Sequence, residues 1–473
     1  MSSIKRNFIY NAFYQVLVLI IPLITTPYIS RILGADGIGI YSYSYSIAQY
    51  YALFILLGLN NYGNRTIARV RDNSDTLRTT FWSIYTMQFG LGLIVLIIYF
   101  LYAIFLAKNT NAALIMGLYV ISSCFDINWF FFGMEKFKAT TTRNTVVKII
   151  TTVLIFCLVK EHQDVYKYCI IMVVGMLASQ IVLWPYVTKT CGFYRPRWSE
   201  VKVHLKPNLI LFLTVIAVSL FKIMDKIMLG FMTDTSQVGF YESSERVISI
   251  PTALVTALGT VMLPRMSNLR DKSNDSKSLI YKSIMFAMLL STSMSFGIMA
   301  VSKTFVPMFY GPGYDLCISL YLILFPSCLF FAFGNVIRTQ YLLPNEFDSI
   351  YVKSAFLGAG VNIIINILLI PNLGAVGAAI GTLVAEMTVC TYQALKIRKN
   401  IDIKKYVLRS IPFVISGTVM FSVIYNLNLP IGSNIIKLFA EIACGVLVYF
   451  FCILIQLGVA YKFFKINWLK PER

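Results

Sequence analysis

The chain has 473 residues, of which 58% are hydrophobic and 13% charged, and its mean hydropathy is +0.72. Soluble domains average about 25% charged residues, so this composition excludes a large soluble protein and indicates an all-α integral membrane protein. The formal charge of +20 does not indicate a nucleic-acid partner, because the basic residues are scattered through short connectors between apolar runs.

Apolar runs of about 20 residues predict about 14 transmembrane helices. The first six predicted spans are residues 8–33, 38–60, 79–106, 113–134, 139–159 and 166–188. A second set of six is predicted at residues 208–232, 240–264, 283–302, 317–342, 350–371 and 375–395. Two additional spans are predicted at residues 410–427 and 435–461. The basic N-terminal residues lead into the first span without a small-residue cleavage signal, which favours a retained span over a signal peptide.

These spans predict four parts of the chain. They are an N-terminal lobe (1–190), a basic cytoplasmic connector (191–207), a C-terminal lobe (208–398), and two further spans with a cytoplasmic tail (399–473). Of the 41 lysines and arginines, 30 are assigned to one side of the membrane, in connectors or near span ends, five are assigned to the other side, and six fall well inside predicted spans. The excess of positive charge predicts that both termini are cytoplasmic.

The seventh predicted span contains three charges, at Lys222, Asp225 and Lys226. On a helix these positions share one face, so they form a patch with net positive charge. Each charge at mid-membrane costs roughly 3 kcal/mol, and such residues usually face a protein interior or a water-filled substrate path. The alternative is a structural ion pair that holds two helices together, although one pair of charges would suffice for that.

Other charged residues also fall inside predicted spans. They include the basic residues Arg31, Lys148, Arg246 and Arg338 and the acidic residues Asp126, Glu242, Glu245 and Glu386. Glu242 and Arg246 have the i, i+4 spacing of a helical salt bridge, so a structural pair and a ligand role are equally open. For Asp126 and Glu386, structural hydrogen bonding is the favoured interpretation.

Two further patterns bear on architecture. Leu33-Gly34 followed by Gly39-Ile-Tyr41 aligns with Leu229-Gly230 followed by Gly239-Phe-Tyr241, which predicts two repeats related by an axis along the membrane normal. The run from Gly374 to Gly381 contains a Gly-x-x-x-Gly face, which indicates close helix packing.

The sequence lacks the motifs of several kinds of metal-binding, catalytic and nucleotide-binding site. The chain has two histidines and nine cysteines without a Cys-x-x-Cys pair, so we expect no metal site and no histidine-based catalytic triad. It has no phosphate-binding Gly-x-x-x-x-Gly-Lys loop, and no predicted outer loop is long enough for an enzyme domain. We expect a protein without catalytic residues or cofactors, driven by a gradient or by its substrate, with a proton or a sodium ion as candidate coupling ion.

One stretch carries a family resemblance. Phe125-Asp-Ile-Asn-Trp129-Phe-Phe-Phe-Gly133-Met-Glu135-Lys-Phe137, with Arg143-Asn144, resembles the signature of Wzx-type polysaccharide flippases, which belong to the multidrug/oligosaccharidyl-lipid/polysaccharide exporter superfamily. Segments around Arg31, Asp225 and Glu386 agree with it. The resemblance implies two six-helix lobes in a V-shaped arrangement, here with two extra C-terminal helices.

The resemblance also implies a function and a site. Such a flippase would move undecaprenyl-diphosphate-linked oligosaccharide repeat units, for an O-antigen, capsule or other surface polymer, across the bacterial cytoplasmic membrane by alternating access. Because lysine and arginine can replace the water shell of a diphosphate, we expect the substrate to bind in a basic cavity formed by Arg31, Lys222, Lys226 and Arg338. We expect Asp225, Glu242 and Glu386 to carry a coupling ion or to position the lysines, and Asp126, Lys148, Glu245 and Arg246 to be additional cavity residues.

Three alternatives stay open: a peptidoglycan lipid-precursor flippase, a drug or cation antiporter of the same superfamily, and a membrane polymerase or glycosyltransferase. The expected partners are the lipid-linked oligosaccharide and the bilayer. Contact with other polysaccharide assembly membrane proteins is a family-level expectation. We expect a monomer, because a two-lobe transporter completes its own pathway.

Overall fold

The structure is a computed structural model that describes the backbone of residues 3–268 and 273–464. The described part does not include the side chains at positions 3–16, 19, 214, 218, 221, 222, 264, 268, 273–275, 457 and 459–464. Every regular element of the described backbone is helical, as predicted. The chain divides into two compact units: unit 1 is Met1–Gly230 with Asp234–Gly239, and unit 2 is Phe231–Thr233 with Phe240–Arg473.

Eleven segments of the described residues are long and apolar enough to cross a membrane. They coincide with eleven of the predicted spans, to within a few residues at most ends. The other three predicted spans, 8–33, 38–60 and 208–232, lie on two helices that include undescribed side chains and are not among the eleven. The total of 14 and the V-shaped lobe arrangement therefore stay predictions.

Unit 1 contains ten α-helices and one 3-10 turn at His162–Asp164. The helices are α1 (Ser3–Leu56), α2 (Leu59–Val70), α3 (Ser74–Phe105), α4 (Thr110–Cys124), α5 (Asn128–Gly133), α6 (Phe137–Leu158), α7 (Val165–Ile181), α8 (Trp184–Cys191), α9 (Trp198–Lys202) and α10 (Leu205–Met232). The first predicted span and most of the second lie on α1, which is interrupted by non-helical backbone at Gly34 (φ 65°, ψ 179°). A positive φ is favourable for glycine, so this residue permits the break.

The fourth predicted span is divided between α4 and α5. The carboxylate of Asp126 accepts hydrogen bonds from the backbone N–H of Asn128 at 2.9 Å and from its side-chain amide at 2.7 Å. Such local bonds to the backbone compete with helical ones, which explains why the helix ends at Cys124 and restarts at Asn128. Because the segment as a whole is apolar, hydropathy alone predicts one continuous span and not this break between α4 and α5.

Two aromatic-rich cores stabilise unit 1. One surrounds Leu33, Tyr41 and Tyr99 on α1 and α3. The other surrounds Phe81 and Trp129, whose ring centroids lie 5.5 Å apart. Both residues of this second pair are fully buried, and burial of such side chains supplies much of the driving force for packing.

The start of α10 packs within unit 1, although the sequence predicts a C-terminal lobe from residue 208. At Gly58 a Cβ would lie 2.8 Å from the carbonyl oxygen of Asn208 and 2.7 Å from Cβ of Leu211, so the absence of a side chain permits this close approach. The predicted lobe boundaries stay a prediction.

A hydrogen bond joins α2 to the segment before α10. The Tyr62 hydroxyl lies 2.7 Å from Nδ1 of His204, and burial lowers the pKa of His204 below its ordinary value of 6.5. A histidine whose pKa falls on folding stabilises the native state above its unfolded pKa. That contribution is lost as the pH falls from about 6.5 through the lowered pKa.

We therefore expect wild-type protein to lose thermal stability between pH 7.5 and 5.5 and His204→Gln to lose less. The measurement is the melting temperature in detergent across that pH range. His162→Gln is the matched control, because His162 is the second histidine of the chain and is exposed. Parallel pH profiles for wild type and His204→Gln would contradict the prediction.

Within the described residues, unit 2 contains α11 from Phe240 onward and all of α12 to α19. The helices are α11 (Thr235–Asn268), α12 (Ser273–Ala300), α13 (Ser302–Tyr310), α14 (Leu316–Leu324), α15 (Ser327–Ile337), α16 (Asp348–Leu373), α17 (Ala375–Ile397), α18 (Ile403–Asn426) and α19 (Asn434–Phe464). A π-helical turn, Arg338–Leu342, extends α15. The last two helices pack against α12 and against each other.

The glycine run at 374–381 packs α16 against α17, as the sequence predicts. A Cβ at Gly377 would lie 2.7 Å from the backbone of Leu369, and one at Gly381 would lie 2.2 Å from Oδ1 of Asn366. Asn362 and Asn366 are buried on α16, and the Asn366 amide donates to Asn362 at 3.2 Å. The small residues thus permit close approach of a partly polar helix face.

Candidate functional site

The charged stretch of the seventh predicted span lies on α10. Asp225 is buried, with 3% of its surface exposed, and Lys226 is half-buried. The side chain of Lys222 lies outside the described residues. The helix therefore presents a buried carboxylate and an adjacent partly accessible ammonium group within an apolar span.

Tyr50 on α1 lies beside this stretch. Its hydroxyl approaches Ser219 and is within electrostatic range of Asp225, although among the described residues it completes no hydrogen bond of normal geometry. The hydroxyl of Ser219 donates to its own helix, to the carbonyl of Ile216 at 2.9 Å. Polar groups of α1 and α10 thus meet around a buried carboxylate, an arrangement that can hold a cation or position a neighbouring lysine.

Arg31 lies on α1 just before the break at Gly34. Its side chain is exposed, and Nη1 donates to the carbonyl of Pro27 at 3.0 Å. Arg31, Asp225 and Lys226 all belong to unit 1.

The aligned motifs around Gly39 and Gly239 contact each other reciprocally. A Cβ at Gly39 would lie 1.7 Å from the carbonyl oxygen of Thr235, and one at Gly239 would lie 1.8 Å from that of Ala35. The Thr235 hydroxyl also donates to the Asp36 carboxylate. Corresponding residues of the two motifs thus make equivalent contacts within unit 1.

Unit 2 pairs two of the predicted site residues. Nε of Arg246 lies 2.8 Å from Oε1 of Glu242, and their side chains are 21% and 14% exposed. The two residues therefore form a salt bridge, which is one of the two roles that their i, i+4 spacing left open. Glu245, on the same helix, is half-buried.

Arg338 and Glu386 lie elsewhere in unit 2. Arg338 opens the π-helical turn, and its guanidinium lies 5.6 Å from the ring centroid of Tyr351. Glu386 is half-buried on α17, within electrostatic range of Cys328 and Cys390. Of the four predicted substrate-binding cations, Arg338 is thus the one that belongs to unit 2.

The family signature forms a buried polar network in unit 1. Arg143 is 7% exposed, and its guanidinium donates to Oδ1 of Asn128 at 3.0 Å and to Oδ1 of Asn144. The Asn128 amide in turn bonds the Asp126 carboxylate. Asp126 thus makes local hydrogen bonds of the kind that the sequence favoured, and its role as an additional cavity residue stays a prediction. Lys148 is half-buried on α6.

Sequence reasoning missed two amides of this network. Gln88 donates to the carbonyls of Ser123 and Asp126, both at 2.9 Å, and accepts from Nε1 of Trp129 at 3.1 Å. Gln180 lies at the edge of hydrogen-bond distance from Arg143, at 3.4 Å. Both are lone amides within apolar spans, and that feature could have marked them. Among the described residues, no cluster of three His, Cys, Asp or Glu side chains forms a metal site.

Residues 4–270 match the profile of the family described as "Polysaccharide biosynthesis protein". The chain belongs to this polysaccharide biosynthesis family. Its resemblance to Wzx-type flippases is confirmed by relatives that match most of its length. It is 24% identical to a putative O-antigen transporter of Escherichia coli (strain K12), over 84% of this chain and 97% of the relative. It is 25% identical to a probable low-salt glycan biosynthesis flippase of Haloferax volcanii, over 48% of each.

Solved structures show the fold of this family member. A lipid II flippase, MurJ, in an inward closed conformation has a TM-score of 0.66 at 16% identity, covering 97% of this chain and 100% of that one. An inward-facing multidrug resistance transporter of the MATE family has a TM-score of 0.55 at 14% identity, covering 82% and 99%. The chain is therefore a multi-pass membrane protein with the fold of these solved structures, and its named relatives are transporters and flippases.

Proposed function

We propose that this protein is a flippase that moves undecaprenyl-diphosphate-linked oligosaccharide repeat units from the inner to the outer leaflet of a bacterial cytoplasmic membrane. The observation that carries the proposal is the similarity to an O-antigen transporter over 97% of that transporter's length. The proposed mechanism is alternating access, with both termini cytoplasmic.

The proposed headgroup site centres on α10. A diphosphate has several negative charges and cannot enter hydrocarbon unless cations and hydrogen-bond donors replace its water. The half-buried Lys226 supplies such a cation beside Asp225. We extend the proposed site to Lys222 and Arg31, and the sequence pattern is the support for both; Arg338, in unit 2, stays a separate sequence prediction.

The acids are assigned by their surroundings. Glu242 is already neutralised by Arg246 at 2.8 Å, so it is a poorer candidate for carrying a coupling ion. Asp225, buried on α10, and Glu386, half-buried on α17, are the stronger candidates for a proton or a sodium ion. In this scheme Asp225 also holds the adjacent lysines in position.

The test is complementation of a bacterial strain that lacks its own repeat-unit flippase. We expect wild-type protein to restore surface polysaccharide and Lys226→Ala to lower the amount about tenfold or more, because a charge-assisted hydrogen bond is removed. Lys222→Ala is expected to act in the same direction. The control at matched membrane abundance is Lys437→Ala, which alters a lysine of α19.

Two outcomes would overturn parts of this proposal. Normal complementation by both α10 variants would remove the site assignment. Failure of wild-type protein together with growth rescue in a strain lacking its lipid II flippase would favour a peptidoglycan precursor. Increased drug resistance alone would favour an antiporter, and product formed by purified protein from lipid-linked sugars would favour an enzyme.

A further inference from the structure

A cavity of about 320 Å³ lies in unit 2 beside the π-helical turn. Its polar lining includes Lys277, Gln340, Tyr341, Asn345 and Lys399. The described lining contains two lysines and no acidic residue, so the cavity is electropositive. Its size falls in the range of small-molecule sites.

The π-helical turn builds one wall of this cavity. Two neighbouring residues of the turn, Gln340 and Tyr341, both line the cavity. The Tyr341 carbonyl accepts from the Asn345 amide at 2.7 Å, and the Tyr341 hydroxyl accepts from the Asn400 amide at 2.8 Å. These bonds tie the turn to the segment after it and to the end of α17. Single π-helical turns within helices often occur at functional sites.

Gln340 is the unsatisfied group of this wall. It is 1% exposed, and among the described residues neither its amide nitrogen nor its carbonyl oxygen has a hydrogen-bond partner. Buried polar side chains in native proteins normally have partners, so this amide indicates that another molecule completes the wall.

The position of the cavity indicates what that molecule is. By the predicted topology Lys277 and Lys399 lie on the cytoplasmic side, where headgroups of anionic lipids and soluble phosphate esters are available. Both lysines are exposed, so their ammonium groups are accessible. Lysine binds phosphate as a flexible point charge with three donors.

We propose that this cavity binds a phosphate-bearing polar headgroup from the cytoplasmic side. Lys277 and Lys399 contact the phosphate, and Gln340 bonds the uncharged polar part. The headgroup belongs to an anionic phospholipid of the inner leaflet or to a soluble phosphate ester. The inference stands on unit 2 alone and does not depend on the transported substrate.

The experiment measures binding to the purified full-length protein by native mass spectrometry. The probes are phosphatidylglycerol, phosphatidylcholine and glycerol 3-phosphate. The site variants are Lys277→Ala/Lys399→Ala and Gln340→Leu. The matched control is Lys353→Ala/Lys404→Ala, which removes two exposed lysines of unit 2 that do not line the cavity.

We expect Lys277→Ala/Lys399→Ala to bind phosphatidylglycerol or glycerol 3-phosphate about tenfold or more weakly than wild type does. The control double variant should bind the same probe as tightly as wild type. If the double site variant loses binding of phosphatidylglycerol but binds phosphatidylcholine as wild type does, the headgroup comes from a lipid. If it loses binding of glycerol 3-phosphate alone, the ligand is a soluble phosphate ester. Equal binding of every probe by wild type and both site variants would overturn the proposal and leave a hydrated cavity.

Discussion

Gly239→Ala is expected to separate the reciprocal contact between the two Gly-x-Tyr motifs and to lower transport about tenfold. The new Cβ would lie 1.8 Å from the carbonyl oxygen of Ala35, which is well inside van der Waals contact. Because that neighbour is backbone, the two segments must move apart. Such overpacking costs about 1–3 kcal/mol, which corresponds to a roughly 5- to 150-fold shift in the equilibrium of the contact.

The expected consequence is faster amide hydrogen exchange in residues 33–40 and 233–240. Gly39→Ala should give the same result, since its Cβ would lie 1.7 Å from the carbonyl oxygen of Thr235. The double variant should add little, because both substitutions break one contact. Gly360→Ala is the matched control: it lies on a helix and its Cβ would meet no atom within 4 Å.

Hydrogen exchange at the wild-type rate in Gly239→Ala would contradict the predicted separation of the two segments. Faster exchange with normal transport would show that the contact is not needed for transport. A change in exchange confined to one of the two segments would contradict the reciprocity of the contact. If Gly360→Ala were also impaired, the effect would reflect helix placement in general rather than this junction.

The sequence was sufficient for the eleven apolar spans that the structure matches, because hydropathy reflects how readily a segment is buried in a bilayer. It also predicted the close packing at Gly377 and indicated a salt bridge as one of two roles for Glu242 and Arg246, since both features depend on spacing within one or two helices. The aligned motifs around Gly39 and Gly239 were recognisable as a repeat. That they contact each other depends on tertiary packing, which no local pattern contains.

The candidate site was less accessible to sequence reasoning. Asp225 and Lys226 were identified because charged residues are rare inside apolar transmembrane helices. The pairing of Gln88 with Trp129, and of Arg143 with Asn128, joins residues 41 and 15 positions apart. Such partners are set by helix rotation and side-chain rotamers. The signature Trp129 to Gly133 was therefore recognised as a family marker without its role in packing and hydrogen bonding.

Arg143→Ala is expected to be among the most destabilising single substitutions in unit 1. The guanidinium of Arg143 donates to the side-chain oxygens of Asn128 and Asn144, and Asn128 bonds the Asp126 carboxylate. Removing one charged partner of a buried network leaves the other groups uncompensated, at a cost of about 3–5 kcal/mol in the free energy of unfolding. The measurement is unfolding of the purified protein in detergent.

The conservative variant separates geometry from charge. Arg143→Lys keeps the positive charge, but a single ammonium group cannot reproduce the planar fork that reaches two amide oxygens, so it should recover only a minor part of the lost stability. Arg69→Ala is the control, because it removes an exposed arginine of α2. Full recovery by lysine would show that charge opposite Asp126, rather than the guanidinium geometry, stabilises the network. Near-normal stability of Arg143→Ala would mean that water replaces the guanidinium, and the signature would then act through the packing of Trp129 alone.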